Sequence, residues 1–148
     1  MSIRISRCSA EEFAAPGVFS VYSACMYRPD SQAFAGKIAR YAADPCTRFF
    51  LADENGVPVG AMVLRNEDGR AEILGIAVSE RHRGSGIGSS LIRTAEESEC
   101  IREWTAETDS DAVGFYQKNG FTAWKREVRY PDGIAVRFLC TKRSEERK

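Results

Sequence analysis

The chain has 148 residues, of which 43% are hydrophobic, and it carries 21 basic and 21 acidic side chains. That length is enough for one sizeable hydrophobic core and too short for two ordinary domains. The equal charge counts exclude a global basic surplus that would drive nucleic-acid or membrane binding by charge alone. We therefore predict one domain over residues 1–142, followed by a charged, frayed tail over 143–148.

The N-terminus and the cysteines bear on the cellular compartment. The first residues, "MSIRISRCSAEEF", are polar and charged where a signal peptide needs an apolar run, and no stretch approaches about 18 consecutive apolar residues. The five cysteines are irregularly spaced, with no CxxC pair and a single histidine in the chain. These features predict a cytoplasmic protein with reduced cysteines that serve in packing, and no metal site.

In chain order, the N-terminal half predicts a strand, two helical segments and three further strands. "SIRI" is a strand candidate, and Ser9 with Glu12 forms a capping-box pattern that opens a helix. The stretch 13–43 predicts two helical segments broken near "YRPDS", with Ser31 able to cap the second. "RFFLAD" and "VPVGAMVLR" predict a hairpin around the turn 54–56, and "AEILGIAV" predicts the next strand.

The C-terminal half predicts two helices and three strands. Ile87, Leu91, Ile92 and Ala95 fall at helical spacing in a segment that runs to about Ser98. "EWTAET" is a short strand, and "DSDAVGFYQKNG" is a capped helix. "FTAWKREVRY" and "IAVRFLCTK" form a closing hairpin. The predicted order is β α α β β β α β α β β.

The stretch "GIAVSERHRGSGIGSSLI" contains the end of the predicted strand "AEILGIAV", the loop after it and the start of the predicted helix that runs to about Ser98. A phosphate-binding P-loop needs a lysine and a spacing that "GSGIGSSL" lacks. A dinucleotide fingerprint would use Gly84 and Gly86 but meets Ser89 at its third glycine position, and "SERHR" separates the strand from the glycines. Both of these phosphate-site motifs therefore fit poorly.

The glycine cluster nevertheless has the chemistry of an anion cradle. A helix that begins near Gly86 leaves its first amide groups without intrahelical partners, and its dipole favours an anion there. The absence of side chains at Gly84, Gly86 and Gly88 allows these donors to converge on a diphosphate. Arg81 and Arg83 add positive charge beside it.

The same segment resembles a known family. "RGSGIG" fits the [QR]-x-x-G-x-[GA] signature of the GNAT superfamily of acyl-CoA-dependent N-acyltransferases. "DSDAVGFYQKNGF" resembles the second cofactor segment of that family, with Asp109 where an asparagine is common. The resemblance covers about residues 1–142. It implies a mixed α/β (α+β) fold with a mostly antiparallel, splayed sheet of about six to seven strands and helices on both faces.

The resemblance also implies acetyl-CoA as cosubstrate, whose pantetheine arm pairs with the strand backbone at 76–78, and it requires no metal. The cofactor-binding residues predicted in this way and from the anion cradle are Ile76, Ala77, Val78, Arg81, Arg83, Gly84, Ser85, Gly86, Ile87, Gly88, Ser89, Asp109 and Tyr116.

Two residues are candidates for acid–base catalysis. Glu72 is an acid within an apolar strand and is the candidate general base; the alternative is an acid at an exposed strand end. By strand alternation, Glu72, Leu74, Ile76 and Val78 share one side unless a bulge near Gly75 shifts the phase.

Tyr116 is the candidate general acid, because a phenol remains protonated at pH 7 and can donate to a departing thiolate. The resemblance implies the same role, and the alternative is a core tyrosine. We expect His82 to be an exposed phosphate neighbour or a solvated residue. Cys100 lacks a second histidine to activate it, so we expect no covalent route through it.

Two functions follow as hypotheses. The first is an N-acetyltransferase that acts on a primary amine by direct attack in a ternary complex, and the second is a non-catalytic acyl-CoA sensor. The acceptor is a small-molecule or peptide amine, with Tyr22, Met26, Tyr27 and Phe34 as its wall or as core residues. We expect no nucleic-acid or membrane partner, and either a monomer or a homodimer.

Overall fold

The computed structural model describes residues 2–27 and 29–144 of the chain. Among these residues, seven strands form one sheet: β1 (Ile3–Cys8), β2 (Thr47–Glu54), β3 (Val57–Glu67), β4 (Arg70–Val78), β5 (Glu103–Thr108), β6 (Thr122–Tyr130) and β7 (Gly133–Arg143). Five α-helices accompany it: α1 (Ala10–Phe13), α2 (Pro16–Tyr22), α3 (Ser31–Ala42), α4 (Ile87–Ser98) and α5 (Val113–Lys118). The element order agrees with the prediction, except that the first predicted helical segment consists of two helices.

The strands lie in the order β1-β2-β3-β4-β5-β7-β6. β4 and β5 are parallel, and every other neighbouring pair is antiparallel. Tight turns explain the hairpins: Asn55 and Gly56 both have positive φ angles between β2 and β3, as do Asp68 and Gly69 between β3 and β4. The mixed, mostly antiparallel class predicted from the sequence is confirmed.

Proline and capping residues set the helix boundaries in the N-terminal half. The predicted capping box is present, because the Glu12 amide donates to Ser9 Oγ at 3.0 Å. α1 ends after about one turn, since the residue before Pro16 is extended and the proline begins a new helix. Asp30, and not Ser31, caps α3, with the Ala33 amide donating to its carboxylate at 2.8 Å.

Two hydrophobic clusters lie on opposite faces of the sheet. On β3, Met62 and Leu64 belong to the cluster beneath α4 and α5, while Ala61 and Val63 belong to the cluster beneath α1, α2 and α3. We call these the α4 face and the α2 face. The largest buried side chain of the α4 face is Trp104, and the α2 face is filled mainly by aromatic rings, namely Phe13, Phe34, Phe49 and Tyr22.

A bulge in β4 lies at the predicted position. Val63 pairs with Gly75, whereas the next residue, Leu64, pairs with Ile73, so Leu74 is an extra residue in β4. A bulge of this kind reverses the alternation of side chains along the strand.

Because the bulge reverses the alternation, residues of β4 that strict alternation would put on one face of the sheet lie on two. Ile73, Ile76 and Val78 all pack on the α4 face, although Ile73 and Ile76 are three residues apart. Leu74 packs on the α2 face, which is also the side to which Glu72 points by alternation with Ile73. The prediction that Glu72, Leu74, Ile76 and Val78 share one side is therefore wrong, and the stated exception, a bulge near Gly75, is the physical reason.

The sheet is splayed between its two parallel strands. β4 pairs with β5 only over Arg70–Ile73, opposite Glu103–Ala106. Beyond Ile73, β4 continues to Val78 with β3 alone as its neighbour. The separation leaves one backbone edge of β4 open, as the family resemblance implies.

The C-terminal boundary differs from the prediction. Arg143 belongs to β7, where it pairs with Glu103, and the Ser144 hydroxyl donates to the Ile101 carbonyl at 2.8 Å. These contacts overturn the prediction of a frayed tail for these two residues, while the rest of that predicted tail, 145–148, lies outside the described residues. In the described part of the chain, none of the helices has the length and apolar character needed to cross a membrane.

Candidate functional site

The loop between β4 and α4 exposes backbone donors. Gly84 and Gly86 have φ angles of +84° and +86°, and a Cβ on either would meet no atom within 4 Å. The first amide bonded within α4 is that of Ser90, which donates to the Gly86 carbonyl at 3.0 Å. The amides of 87–89 therefore have no intrahelical acceptor and face outward at the positive end of the helix dipole. This arrangement suits a phosphate.

Gly88 has a different role from the other two glycines of the cluster. It is buried in the first turn of α4, and a Cβ there would lie 2.7 Å from the Phe115 ring. The missing side chain makes room for α5, not for a ligand. We therefore correct the explanation for Gly88: its amide belongs to the donor set at the helix end, while its lack of a side chain is a packing requirement.

The cations of the loop are available for a ligand. Arg81 lies in a 3₁₀ turn over Glu80–His82, and both Arg81 and Arg83 are exposed. Neither forms an ion pair with another described residue; the Arg83 Nε donates only to the Val78 carbonyl, at 3.4 Å. Two unpaired guanidinium groups beside outward amides create a local positive potential in a chain with no net charge.

The open edge of β4 leads directly to this loop. The Ser79 amide donates to the Val59 carbonyl at 2.8 Å, so by antiparallel alternation the Ala77 backbone also faces β3. The amides and carbonyls of Ile76 and Val78 therefore face the splay. A linear chain with amide groups can pair with this edge as a strand would.

Glu72 lies near the start of the splay but is exposed. It pairs across the sheet with Arg65 and Thr105, in the last part of β4 that β5 still covers. Its carboxylate has no hydrogen bond or ion pair to another described residue. The exposure matches the alternative stated from the sequence, an acid at an exposed position of the strand. The bulge turns Glu72 away from the face that holds Ile76 and Val78, toward the α2 face.

Tyr116 is buried on the α4 face. Its residue is 6% exposed, and its ring makes edge contacts with Phe115 and Phe121 at centroid distances of 5.2 and 5.3 Å. Burial raises the pKa of Tyr116, with smaller contributions from Cys140, Cys25 and Asp109. The phenol is therefore protonated throughout the neutral range, and it has no hydrogen-bond partner among the described residues.

Asp109 has a local structural role. Its Oδ1 accepts from the amides of Asp111 and Ala112, both at 3.0 Å, and its carbonyl accepts from the Val113 amide. These bonds shape the turn that precedes α5. A carboxylate and a carboxamide oxygen serve this purpose equally, which accounts for an aspartate at a position where the resembled family commonly has asparagine.

Cys25 and Tyr41 are neighbours of the site that the sequence patterns did not identify. Cys25 is exposed as a residue, but burial of its Sγ raises the thiol pKa to about 11, and contacts with Tyr22 and the Ile76 amide oppose the rise. Burial likewise raises the pKa of Tyr41, and the nearby Cys25 and Glu72 raise that pKa further.

These neighbours gather near the bulge on the α2 face. At Gly75 an added Cβ would collide with the Tyr22 hydroxyl, which shows how closely that phenol approaches β4. The spacing of Phe34, Ile38 and Tyr41 along α3 is helical, so Tyr41 could have been placed on the inner face from sequence, but its approach to β4 could not.

The residues predicted to form the acceptor wall or the core, and His82, lie in different environments. Tyr22 and Phe34 are core residues, 1% and 2% exposed, whereas Tyr27 is 81% exposed and Met26 is partly buried against the second cluster. His82 is not a solvated side chain: it is 18% exposed and contacts Ser79 and Glu54.

Cys100 lies far from the glycine loop. It follows the C-terminal end of α4, about 18 Å along the helix from the loop. Its carbonyl lies beside Gly69 in the turn that precedes β4, and the chain has no second histidine to activate its thiol. Within residues 2–27 and 29–144, no group of three or more His, Cys, Asp or Glu side chains is placed to hold a metal ion.

Comparison with known proteins gives one family. The model of the Acetyltransferase (GNAT) family matches residues 15–121, which include the whole glycine loop and α5. No curated protein matches this chain.

Many solved structures share the fold. A ribosomal-protein-S18-alanine N-acetyltransferase from Escherichia coli is 15% identical, with a TM-score of 0.75 over 99% of this chain and 97% of the other. PaiA N-acetyltransferase from Thermoplasma acidophilum, in complex with coenzyme A, is 20% identical, with a TM-score of 0.69 over 97% of this chain and 100% of the other. A GNAT family acetyltransferase from Elizabethkingia anophelis with acetyl-CoA bound is 20% identical, with a TM-score of 0.67 over 96% of this chain and 98% of the other.

Proposed function

Because this chain belongs to the GNAT acetyltransferase family, we propose that it is an N-acetyltransferase that moves an acetyl group from acetyl-CoA to a primary amine by direct attack in a ternary complex. The observation that carries the proposal is the open edge of β4, which runs into a loop of unpaired amides and free arginines. Acyl-CoA bound along this path would lie beside Tyr116, with Glu72 on the opposite face. The coenzyme-bound structures of similar fold support the same cosubstrate.

The residues present fit acetyl-CoA, which supplies an activated acetyl group as a thioester. The amides of 87–89 and the empty space at Gly84 and Gly86 suit the diphosphate, and Arg81 and Arg83 add charge to hold it. The outward backbone groups of Ile76 and Val78 suit the two amides of the pantetheine arm. This set differs from the predicted cofactor residues at two positions: the Ala77 backbone faces β3 and not the splay, and Asp109 acts through the turn before α5.

Glu72 is the proposed general base. An amine with a pKa of about 10.4 is free base in only about 1 molecule in 2,500 at pH 7, which corresponds to about 4.6 kcal/mol. The Glu72 carboxylate faces the α2 face, where no bound coenzyme would cover it, and it has no competing partner among the described residues. It accepts the amine proton directly or through a water molecule.

Tyr116 is the proposed general acid. Its hydroxyl is protonated at neutral pH and donates a hydrogen bond to the sulfur as the C–S bond breaks; the proton then passes to the thiolate, and solvent returns a proton to the phenolate. The proposed base and acid come from opposite faces of the sheet, so neither blocks the other at the splay. Because the single histidine of the chain is held by Ser79 and Glu54, and burial raises the pKa of the Cys25 thiol, we expect no activated cysteine, and the amine attacks the thioester directly.

The α2 face is the proposed acceptor side. Tyr22, Cys25 and Tyr41 border it near the bulge, and the turn between β6 and β7 lies at the far side of the splay. The acceptor is a small-molecule or peptide amine. One structure of similar fold is named a ribosomal-protein-S18-alanine N-acetyltransferase, so a protein amine belongs among the classes to test.

The test is the release of free thiol from acetyl-CoA in the presence of a panel of amines. The panel contains simple primary amines, polyamines, aminoglycosides and peptides with a free N-terminus, each measured against a reaction without protein. We expect turnover with at least one class. Tight binding of acetyl-CoA with no turnover across the panel would instead identify a sensor, and the absence of acetyl-CoA binding would overturn both functions.

A further inference from the structure

His82 links the glycine loop to the ends of two strands. Its Nδ1 lies 2.7 Å from the hydroxyl of Ser79, the residue that follows β4. Its Nε2 lies 3.5 Å from Oε1 of Glu54, the last residue of β2. The three side chains form a chain across the base of the loop, and His82 and Glu54 are 18% and 24% exposed.

The main chain of His82 holds the centre of the loop. Its amide donates to the Ser79 carbonyl at 2.9 Å. Its carbonyl accepts from the Ser85 amide at 3.3 Å and also from the Ser85 hydroxyl. Ser85 lies between Gly84 and Gly86, which have no side chains to hold them in place. The position of His82 therefore sets the position of the two glycines.

Glu54 depends on His82 for its polar environment. The Oε2 atom of Glu54 is the one fully buried side-chain oxygen without a partner in the described part of the chain. A buried carboxylate oxygen with no donor is unfavourable, and a negative charge near an anion site weakens that site. The polar contact that this carboxylate makes is through its other oxygen, Oε1, to the His82 imidazole, so displacement of His82 would leave both oxygens without a polar contact among the described residues.

From this geometry we infer that His82 is a positioning residue for the diphosphate of acyl-CoA, and that Glu54 and Ser79 anchor it. The inference rests on the proposed function, since it assigns the loop to that coenzyme. His82 itself faces Glu54 and not the ligand. Its contribution is to keep the amides and glycines of the loop in the conformation that accepts a diphosphate.

Two ligands separate positioning of the loop from general stability. Acetyl-CoA contains the diphosphate, whereas S-acetylpantetheine contains only the arm that pairs with β4. We expect His82→Ala to weaken acetyl-CoA binding by about 10-fold in calorimetry. S-acetylpantetheine binding, followed by NMR titration, should be unchanged, because its contacts lie on the strand.

Glu54 provides the second line of evidence. Glu54→Ala should weaken acetyl-CoA binding by about 3-fold, whereas Glu54→Gln, which keeps an oxygen beside Nε2, should restore it to within about 2-fold of wild type. Glu127→Ala, an exposed acid on β6 far from the loop, is the matched control and should change nothing. Circular dichroism checks that each variant is folded; if His82→Ala is not, Ser79→Ala and Glu54→Ala carry the test.

The outcomes distinguish this inference from the proposed function. If wild type does not bind acetyl-CoA, the proposed function fails and this inference with it. If wild type binds but His82→Ala binds equally well, or loses both ligands equally, only the positioning role is wrong. Tighter binding by Glu54→Ala would show that Glu54 repels the diphosphate and does not anchor the loop.

Discussion

The two ends of β4 differ in how their polar groups are satisfied. At the paired end, Glu99 is 9% exposed and accepts from Arg7 and Arg48 at 3.3 and 3.0 Å, while Glu103 accepts from Arg143 at 2.9 Å. At the splayed end, backbone amides and two arginines have no such partners among the described residues. The comparison teaches that a ligand is expected where a fold leaves donors unpaired, because a ligand can then replace the missing partners.

The shape of the surface alone would suggest the opposite end. A broad open depression lies beside the paired end, lined by charged residues that include Arg48, Glu99 and Arg102. Its charges are largely neutralised within the chain, as in the ion pairs of Glu99 and the bond from Arg102 to the Asp68 carbonyl. We therefore expect mutations at the splayed end to change binding and catalysis, and mutations at the paired end to change stability only.

Glu72 provides the test with the largest expected effect, because it lies where the paired part of β4 meets the splay and is the proposed general base. We expect Glu72→Gln to lower kcat by roughly 10² to 10⁴ with acetyl-CoA affinity nearly intact. The defect should shrink as the pH rises toward 9 and above, since more of the amine is then already free. A pH–rate profile for wild type and variant on one good acceptor measures this.

The profile needs a control for folding at alkaline pH. Burial raises the pKa of Cys8 to about 12 and that of Cys25 to about 11, so the unfolded thiols ionise near pH 9 while the folded ones stay protonated. Stability therefore falls as pH rises above about 9, and the profile is best ended near pH 9.5 with circular dichroism as a check. A Glu72→Gln defect that is constant across this range would contradict the general-base role and leave Glu72 as an orienting acid.

Gly86 tests the loop itself. Gly86 has a φ angle of +86°, so Gly86→Val strains the backbone and places a branched side chain where the diphosphate would approach. We expect the affinity for acetyl-CoA, measured by calorimetry, to fall by at least about 100-fold in a folded protein.

Gly114 supplies the matched control for this substitution. A Cβ added to Gly114 would meet no atom within 4 Å, and its φ angle on α5 is ordinary, so Gly114→Ala should bind acetyl-CoA as wild type does. Gly88 is no such control, because a side chain there would collide with Phe115. Normal affinity in a folded Gly86→Val variant would move the diphosphate away from this loop.

Tyr116 tests the acid on the α4 face. Tyr116→Phe removes only the hydroxyl, which has no partner among the described residues, so the core should remain intact. We expect kcat to fall by about 10- to 100-fold, and by less with an acetyl thioester whose thiol is more acidic. Steady-state kinetics with the two donors measure the difference. An undiminished rate would assign the proton of the leaving thiolate to water.

Glu99 tests the paired end and has the smallest expected effect. Glu99→Gln weakens the bonds of this side chain to Arg7 and Arg48. We expect the free energy of unfolding to fall by only about 1 kcal/mol, because Arg7 is half exposed and solvent screens its ion pair. Urea denaturation measures the change. Acetyl-CoA affinity should stay within about 2-fold of wild type; a larger loss would mean that the two ends of β4 are coupled.

Local sequence patterns determined much of this protein. The glycine cluster, the strand before it and the helix after it are all where the sequence predicts them, because positive φ angles, capping and helical periodicity depend on neighbours within a few residues. The Asn55–Gly56 hairpin is local in the same sense. The family resemblance also follows from short motifs.

Tertiary structure decided what depends on contacts between distant segments. The bulge at Leu74 arises from pairing with β3, and it alone determines that Glu72 and Ile76 point to opposite faces. Gly88 is a packing residue because Phe115 lies against it, 27 positions later in the chain. His82 is held by Glu54 from another strand. A sequence shows which side chains are available, but their partners are set by how the strands align and pack, and that alignment reflects the burial of the whole core.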